Sequence, residues 1–493
     1  MDHHVATPAS QIKAPPAGTQ NDKVLHEALT QTTQLAEHFQ TLRDSFKQAP
    51  YPDIEQRIGH IQAIKDALIN NKQALTQALN DDYGYRSHFD SLLADIVATV
   101  QHANYTLKHI RKWLKPNKRH AGLMLFPSTI TVHQQPLGVV GVITPWNFPV
   151  NLSISPAITA LAAGNRVMIK LSEFTPNTNQ VLKSIFEPLS DQMVFVEGEV
   201  EVSTAFSSLP FDHLFFTGST EVGKYVARAA AENLTPITLE LGGKSPVVID
   251  DSFPIKRAVD AILTGKTINS GQICVAPDYI WLPKARQQEF IDTYVKRFKH
   301  FYGNQKQASR HGCIINSKQL ERLHRYLDDA REQGASILSI DTDRSAENGY
   351  LAPHLITDVS DNMLIMQNEI FGSLLPIMGY DEIEQAFSYI AAKPRPLAYY
   401  LMSEDKALIE RTTQQTHSGG LSINDTLLHV AAEDAPFGGI GHSGMGHYHG
   451  IEGFKTFSHS KTVLKTASWL PRSALMLKYR DLMAKVLGKV FLR

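Results

Sequence analysis

From Thr129 onward the chain alternates short apolar runs with helical stretches, and that rhythm constrains its fold more than any other feature. Strand composition recurs at Thr129–His133, Leu137–Thr144, Arg166–Lys170, Met193–Val196 and His213–Thr217. Between these runs, helices are expected near Ser153–Ala163, from Thr175, in a short stretch before His213, and over Glu221–Asn233. Apolar strands separated by helices build a parallel sheet covered on both faces. Ligands on such sheets sit beyond the carboxyl ends of the strands. A second α/β region follows Gly242 and Gly243, with strands Pro246–Ile249 and Tyr279–Leu282 and helices near Ala258–Ile268 and Gln287–Phe301. It runs to about Asp425.

The sequence before the first strands is helical. Ile54, Ile58, Ile61, Ile64 and Leu68 recur at helical spacing after Pro52-Asp53, a start signal. Ser91–Trp113 repeats the pattern, with Leu92, Ile96 and Val100 on one face. Both helices are expected to pack on the later sheet. The first twenty residues, rich in Pro, Ala, Thr and Gln, read as a mobile arm. At 493 residues the chain has room for roughly three domains. We find no internal repeat.

Charge narrows the function. Lys and Arg total 48 against 49 Asp and Glu, so a nucleic-acid partner is not expected. Two cysteines, Cys274 and Cys313, exclude a disulfide framework or a cysteine-rich metal site and suit a reducing compartment. No apolar run reaches the roughly 18 residues of a membrane span, and the N-terminus lacks an apolar signal core. The expectation is a large cytoplasmic enzyme.

Five segments carry residues with chemical potential, though each alone has an ordinary structural explanation. Cys274 ends Gln272-Ile273-Cys274 after Gly271, a turn that can expose and activate a thiol; Cys313 reads as a small core residue. Glu240 ends an apolar run before Gly242 and Gly243, where burial can raise a carboxyl toward the range of a general base. Asn147 sits in Thr144-Pro145-Trp146-Asn147-Phe148-Pro149, a stiff loop offering an amide donor of the kind an oxyanion requires. Lys170 and Glu173 close a strand with a cation and an acid that can hold ribose hydroxyls. Gly218 and Ser219 lead from strand to helix, where phosphate is favoured, but the pattern is not GxGxxG.

Taken together, TPWNFP, KLSE, FTGSTEVG, LELGGKSP, GQIC and NEIFG (Asn368–Gly372) stand in the order and spacing of one family. Cys274 lies 34 residues after Glu240, and Glu369 lies 95 after Cys274. The chain resembles the NAD(P)-dependent aldehyde dehydrogenases from about Val24 to Ser468. The helical preface, GYRSHF and PFGGIGHSGMGHYHG look most like the class 3 branch, especially bacterial coniferyl-aldehyde dehydrogenases. One departure is Leu171, where the family usually has proline; it is expected to face the cofactor loop.

The resemblance implies an α/β fold of the aldehyde-dehydrogenase type: a Rossmann-type cofactor domain, an α/β catalytic domain and a small β oligomerisation element. The boundaries expected are 21–128 with 137–242 for the cofactor domain, 243–430 for the catalytic domain, and 129–136 with 431–468 for the oligomerisation element. It implies Cys274 as nucleophile, Asn147 with the Cys274 amide as oxyanion donors, and Glu240 as the base that hydrolyses the thioester. Lys170 and Glu173 would contact the adenosine ribose, Ser219 with Gly218 the pyrophosphate, and Thr144 and Trp146 the cofactor from their loop. Glu369 and Phe371 would border the nicotinamide ribose. NAD is the expected cofactor with NADP the second candidate, no metal is required, and a homodimer is the expected assembly. Coniferyl-type aldehydes are the first substrate class and medium-chain aliphatic aldehydes the second. A CoA-acylating or acyl-phosphate reductase, a catalytically silent binding protein and a cofactor-free esterase are the rival readings.

The tail, 469–493, matches none of these motifs. Leu475, Tyr479, Leu482, Val486 and Val490 fall at helical spacing, and six basic residues oppose only Asp481, a net charge of +5. Such a helix either packs on protein or lies weakly on an anionic membrane.

Overall fold

The computed structural model describes residues 20–303, 311–341 and 349–492, with side chains from 33 onward. The arm expected over residues 1–20 thus lies outside the described residues, apart from Gln20, which opens a helix running to Gln48.

Three sheets organise the chain. The smallest joins β1 (Asn117–Arg119), β2 (Thr129–Pro136) and β16 (Ser458–Lys465), all antiparallel. Thr129 pairs with Lys465 and Pro136 with Ser458, so this strand pair ties the chain's early and late parts together. The second sheet contains β3 (Val139–Ile143), β4 (Arg166–Lys170), β5 (Met193–Val196), β6 (His213–Thr217), β7 (Ile237–Glu240) and the two-residue β15 (Gly444–Met445). Their order is β15-β7-β6-β3-β4-β5, and only the β15–β7 pairing is antiparallel. The chain leaves β3 toward β4 on one side and returns to β6 on the other. That reversal opens a crevice at the carboxyl ends of β3 and β6.

The third sheet comprises β8 (Pro246–Ile249), β9 (Tyr279–Pro283), β10 (Ser336–Ser339), β11 (His354–Thr357), β12 (Leu374–Tyr380), β13 (Ala398–Met402) and β14 (Gly420–Ile423). Its order is β10-β11-β12-β9-β8-β13-β14, parallel except for the β10–β11 edge. The strands from Ser336 onward are not read from sequence, because short apolar runs such as Ala398–Met402 carry no period that separates strand from buried helix.

The helical preface departs from expectation in one respect. Asp53 caps the helix Ile54–Asn70 in a capping box with Gln56, as its sequence suggests. That helix and Ala98–Trp113 pack on each other and on the helix Asn151–Ala163, which itself lies against β3 and β4. They therefore form an outer layer over a helix instead of covering the sheet directly. The reason is composition: Ser153 to Ala163 is buried all round, so it needs protein on both sides. Ser91–Val97 is a π-helical turn, and only Ile96 of the expected Leu92, Ile96 and Val100 face is fully buried.

Candidate active site

Residues singled out in the sequence gather where two sets of strand ends meet. Thr144, Trp146 and Asn147 follow β3, Lys170 ends β4 with Glu173 just beyond it, Gly218 and Ser219 follow β6, and Glu240 ends β7. All lie at carboxyl ends. Cys274 precedes β9, Glu369 and Phe371 precede β12, and Gly242–Gly243 precede β8. These lie at the amino ends of the third sheet.

The Cys274 turn is held in an unusual backbone conformation. Asn269, Ser270 and Gly271 all have positive φ, at 47°, 54° and 72°. Two of these are not glycine, a conformation that costs of order 1–3 kcal/mol each and persists only where neighbours enforce it. Asp90 accepts from the Asn269 amide at 3.0 Å. Gln272, fully buried, donates to the carbonyls of Asn269 and Cys313 and accepts from the Ile315 amide. Gly271 has no alternative, because a Cβ there would stand 2.6 Å from the Gly372 carbonyl oxygen. Asn269 also donates to the Asn147 carbonyl at 3.0 Å, joining this turn to the loop after β3.

That loop is fixed from behind. Tyr83 Oη donates to the carbonyls of Trp146 and Asn147. Asp95 accepts from the amides of Val150 and Asn151, and its other oxygen forms a fully buried ion pair with Arg86 at 2.8 Å. The guanidinium of Arg86 lies over the rings of Tyr83 and Phe148. Sequence reasoning noticed GYRSHF only as a family mark and missed these supporting roles. For Asp95 the signal was a lone acid among apolar helical positions, whereas Arg86 lies in the loop before that helix and gave none.

Glu240 is buried, and its backbone pairs with Gly444 of β15, which fastens the end of β7. Both of its carboxylate oxygens lack a hydrogen-bond partner, and burial pushes its pKa well above the usual carboxylate range. Cys274 is partly exposed; burial, Glu369 and Glu240 together push its thiol up to about 12. Its thiolate would accept from the backbone amides of Cys274 and Val275, which act in the opposite direction. Asn147 donates from Nδ2 to the Gln272 carbonyl at 3.1 Å, and its buried Oδ1 has no partner.

Glu369 accepts from the Gly243 amide at 3.2 Å, and burial raises its pKa to about 7. The carboxylate rests on Gly242, where a Cβ would come within 2.2 Å of it. Phe371 has φ 48°, and its ring meets Trp146 edge-on at 5.4 Å. Lys244 and Arg322, both missed from sequence, hold this loop. Lys244 Nζ donates to Asp278 and to the carbonyls of Ile365 and Asn368, and Arg322 donates to those of Glu369, Ile370 and Phe371. Tyr448 is buried, which raises its pKa, and the charges of Glu240 and Cys274 add to that rise. Its sequence context gave no signal apart from the glycines around it.

The other cluster lies along the same sheet edge. Lys170, almost fully buried, donates to the Leu171 carbonyl at 2.9 Å and pairs with half-exposed Glu173 at 3.3 Å. Thr144 binds the Lys170 carbonyl through both its amide and its hydroxyl. The expectation for Leu171 needs correction: its side chain is fully buried in the apolar core, so only its carbonyl serves the loop. Ser219 is the N-cap of Thr220–Glu232 and accepts from the Val222 amide. Thr217 Oγ1, beside it, is buried without a partner. A nucleotide fits these groups: a cation and an acid for a ribose, a helix N-terminus for phosphate, and an orphaned hydroxyl between. Chemically, the arrangement sets a thiol, two carboxyls of raised pKa and an amide donor at the strand ends beside the crevice.

Comparison with known proteins gives the family and the fold. The sequence profile described as "Aldehyde dehydrogenase family" matches residues 11–463. A "Probable coniferyl aldehyde dehydrogenase" of Pseudomonas aeruginosa is 47% identical over 471 residues, covering 95% of this chain and 98% of that protein. The "Coniferyl aldehyde dehydrogenase" of Pseudomonas sp. is 42% identical, covering 84% and 86%. Among solved structures, the substrate-bound state of Staphylococcus aureus AldH superposes with a TM-score of 0.85 at 36% identity, covering 91% of this chain and 99% of that one.

Proposed function

The chain belongs to the aldehyde dehydrogenase family and is an oxidoreductase acting on aldehydes, and from that premise we propose that it converts an aldehyde to the carboxylic acid through a thioester on Cys274. The observation that carries this reading is the buried, unpartnered carboxyl of Glu240 close enough to Cys274 to act on its charge.

Cys274 is a thiol in the free protein. A cationic cofactor held by these residues would favour the ionised form, the thiol proton passing to water. The thiolate adds to the aldehyde carbon, and the new oxyanion is held by Asn147 Nδ2 and the Cys274 amide. NAD(P)+, when bound there, would be the hydride acceptor that turns the thiohemiacetal into a thioester. The thioester then awaits water. Glu240, once ionised, takes a proton from that water as it attacks, and the acid departs with the thiol restored. A buried carboxyl without a hydrogen-bond partner is unfavourable, so the orphaned oxygens of Glu240 favour recruiting a water there.

Lys170 and Glu173 hold the adenosine ribose, Ser219 and Gly218 the pyrophosphate, and Thr144 and Trp146 the loop beneath them. Glu173 would favour NAD over NADP, because its carboxylate could accept from both ribose hydroxyls and would repel a 2′-phosphate. Glu369 and Phe371 would border the nicotinamide ribose. Retention of Glu240 argues for water as acyl acceptor instead of CoA or phosphate, because a hydrolytic base would waste the thioester. Coniferyl-type aromatic aldehydes are the substrate class, by likeness to the two Pseudomonas proteins. The assembly is a homodimer joined through the exposed strand β16. The compartment is the cytoplasm, in keeping with two cysteines that form no disulfide.

A panel of aromatic and aliphatic aldehydes, assayed by cofactor reduction with NAD and NADP and with or without CoA, tests the reading. The expected result is highest kcat/KM for coniferyl-type aldehydes with NAD and free acid as product. Acyl-CoA formation, or no reduction with any aldehyde, would overturn it.

A further inference from the structure

The family match ends at residue 463, yet the chain continues, and its last residues place apolar side chains in water. They form two helices, Arg472–Lys478 and Arg480–Phe491, neither with a buried residue. Trp469 is 73% exposed and Leu477 78%, and Leu482, Val486 and Val490 form an exposed stripe along the second helix. One anchor of these helices is Arg472, which donates to the carbonyls of Leu125 and Phe126 at 2.6 and 2.9 Å.

That anchor brings in a second segment of the same chemistry. Leu123, Met124 and Phe126 are 74%, 63% and 74% exposed, and they follow the exposed basic residues Lys118 and Arg119 of β1. Because β2 pairs with β16 from Thr129 to Lys465, both segments emerge at one end of the small sheet. Charge is segregated there as well. No acidic residue occurs from Leu114 to Pro136, and Asp481 is the one acid after Gly453, although the whole chain is nearly neutral at -1. Exposed apolar side chains ringed by cations match the two properties of an anionic bilayer surface: an acyl boundary and a negative potential. A second copy of this face would bring like charges together. No helix among the described residues is long and apolar enough to cross a membrane, so the contact is peripheral.

We propose that residues 115–126 and 469–492 form one docking surface that seats this end of the molecule on an anionic lipid bilayer. The test is flotation of the full chain with phosphatidylcholine vesicles that contain or lack phosphatidylglycerol, at low and high salt. The full chain should float with the anionic vesicles at low salt and lose binding by at least about fivefold in high salt or on neutral lipid. Val486→Glu with Val490→Glu, and separately Met124→Glu with Phe126→Glu, should each reduce the bound fraction by a similar factor. A chain ending at Ser468 should fall further. Circular dichroism and sedimentation velocity on each variant keep folding and assembly separate from binding. Failure of the full chain to float at low salt overturns the proposal. So does undiminished binding by both double variants, equal binding to neutral lipid, or a halved mass on truncation with no lipid binding, which would assign the face to a second copy.

Discussion

The side-chain amide of Asn147 donates to the carbonyl of Gln272, two residues before Cys274, so the loop after β3 and the turn of the thiol are bonded in both directions, Asn269 donating back to the Asn147 carbonyl. The first bond fixes which way the amide points. With Nδ2 held toward the Cys274 turn, its second N–H is free for an oxyanion, and Oδ1 is left unpartnered. Asn147→Ala should lower kcat/KM by about 10²–10³, the usual loss of one oxyanion donor. Asn147→Asp should be worse, because a carboxylate would face both the Gln272 carbonyl and the developing charge. Steady-state kinetics on the two variants decides this, and an aspartate variant as active as wild type would exclude the role.

Cys274→Ala and Cys274→Ser should abolish turnover while leaving cofactor binding near normal, measured by fluorescence titration. The thiol offers a second readout. Burial and two carboxyls raise it to about 12, so alkylation by iodoacetamide in the free enzyme should climb with pH without levelling off below about 10. NAD+ should move the curve to lower pH. Glu369→Gln removes one of the raising charges, so its alkylation at pH 8 should be faster than wild type. Equal rates would show that Glu369 does not act on the thiol.

Much of this arrangement is legible in the chain, and the limits are physical. Strands such as Arg166–Lys170 and His213–Thr217 emerge with the expected ends because apolar runs there are bounded by turn residues. Cys274, Glu240 and Asn147 are visible because reactive side chains sit beside Gly and Pro, which mark turns. Arg86, Asp95, Lys244 and Arg322 are not visible, since their partners lie far away in sequence and several are backbone carbonyls. Leu171 misleads for a related reason: its neighbours Lys170 and Ser172 belong to a loop, but its own side chain turns into the core. The tail shows its apolar stripe in sequence, yet a stripe has no label for what covers it.

Glu240→Gln should give a burst of NADH and then stall, because the amide cannot take a proton from water after the acyl group has formed. The steady-state loss should be about 10²–10⁴-fold. Wild-type deacylation should rise with pH, since burial raises the carboxyl and only its ionised form is a base. The variant should lose that dependence. Rapid-mixing kinetics with mass analysis of the stalled protein checks both points, and a stalled species other than an acylated Cys274 would refute the assignment.

The last prediction concerns the buried pair behind the site. Arg86 neutralises Asp95, and Asp95 in turn holds the amides of Val150 and Asn151 at the end of the Asn147 loop. Arg86→Met leaves a buried carboxylate with no counter-charge, which should cost about 3–5 kcal/mol of stability at neutral pH. The pH dependence has a definite sign. Burial already raises the pKa of Asp95, and loss of Arg86 raises it further. The folded variant therefore takes up a proton more readily than its unfolded chain, and it regains stability as the pH falls through the raised value. Chemical unfolding at pH 7 and pH 5 should show a smaller deficit at the lower pH. Arg86→Met with Asp95→Asn should recover part of the stability at both, because an amide oxygen can still accept from Val150 and Asn151. Turnover should follow the loop, falling in the single variant and partly returning in the double. A deficit that is the same at both pH values would mean that packing of Arg86 against Tyr83 and Phe148, and not its charge, is what the site depends on.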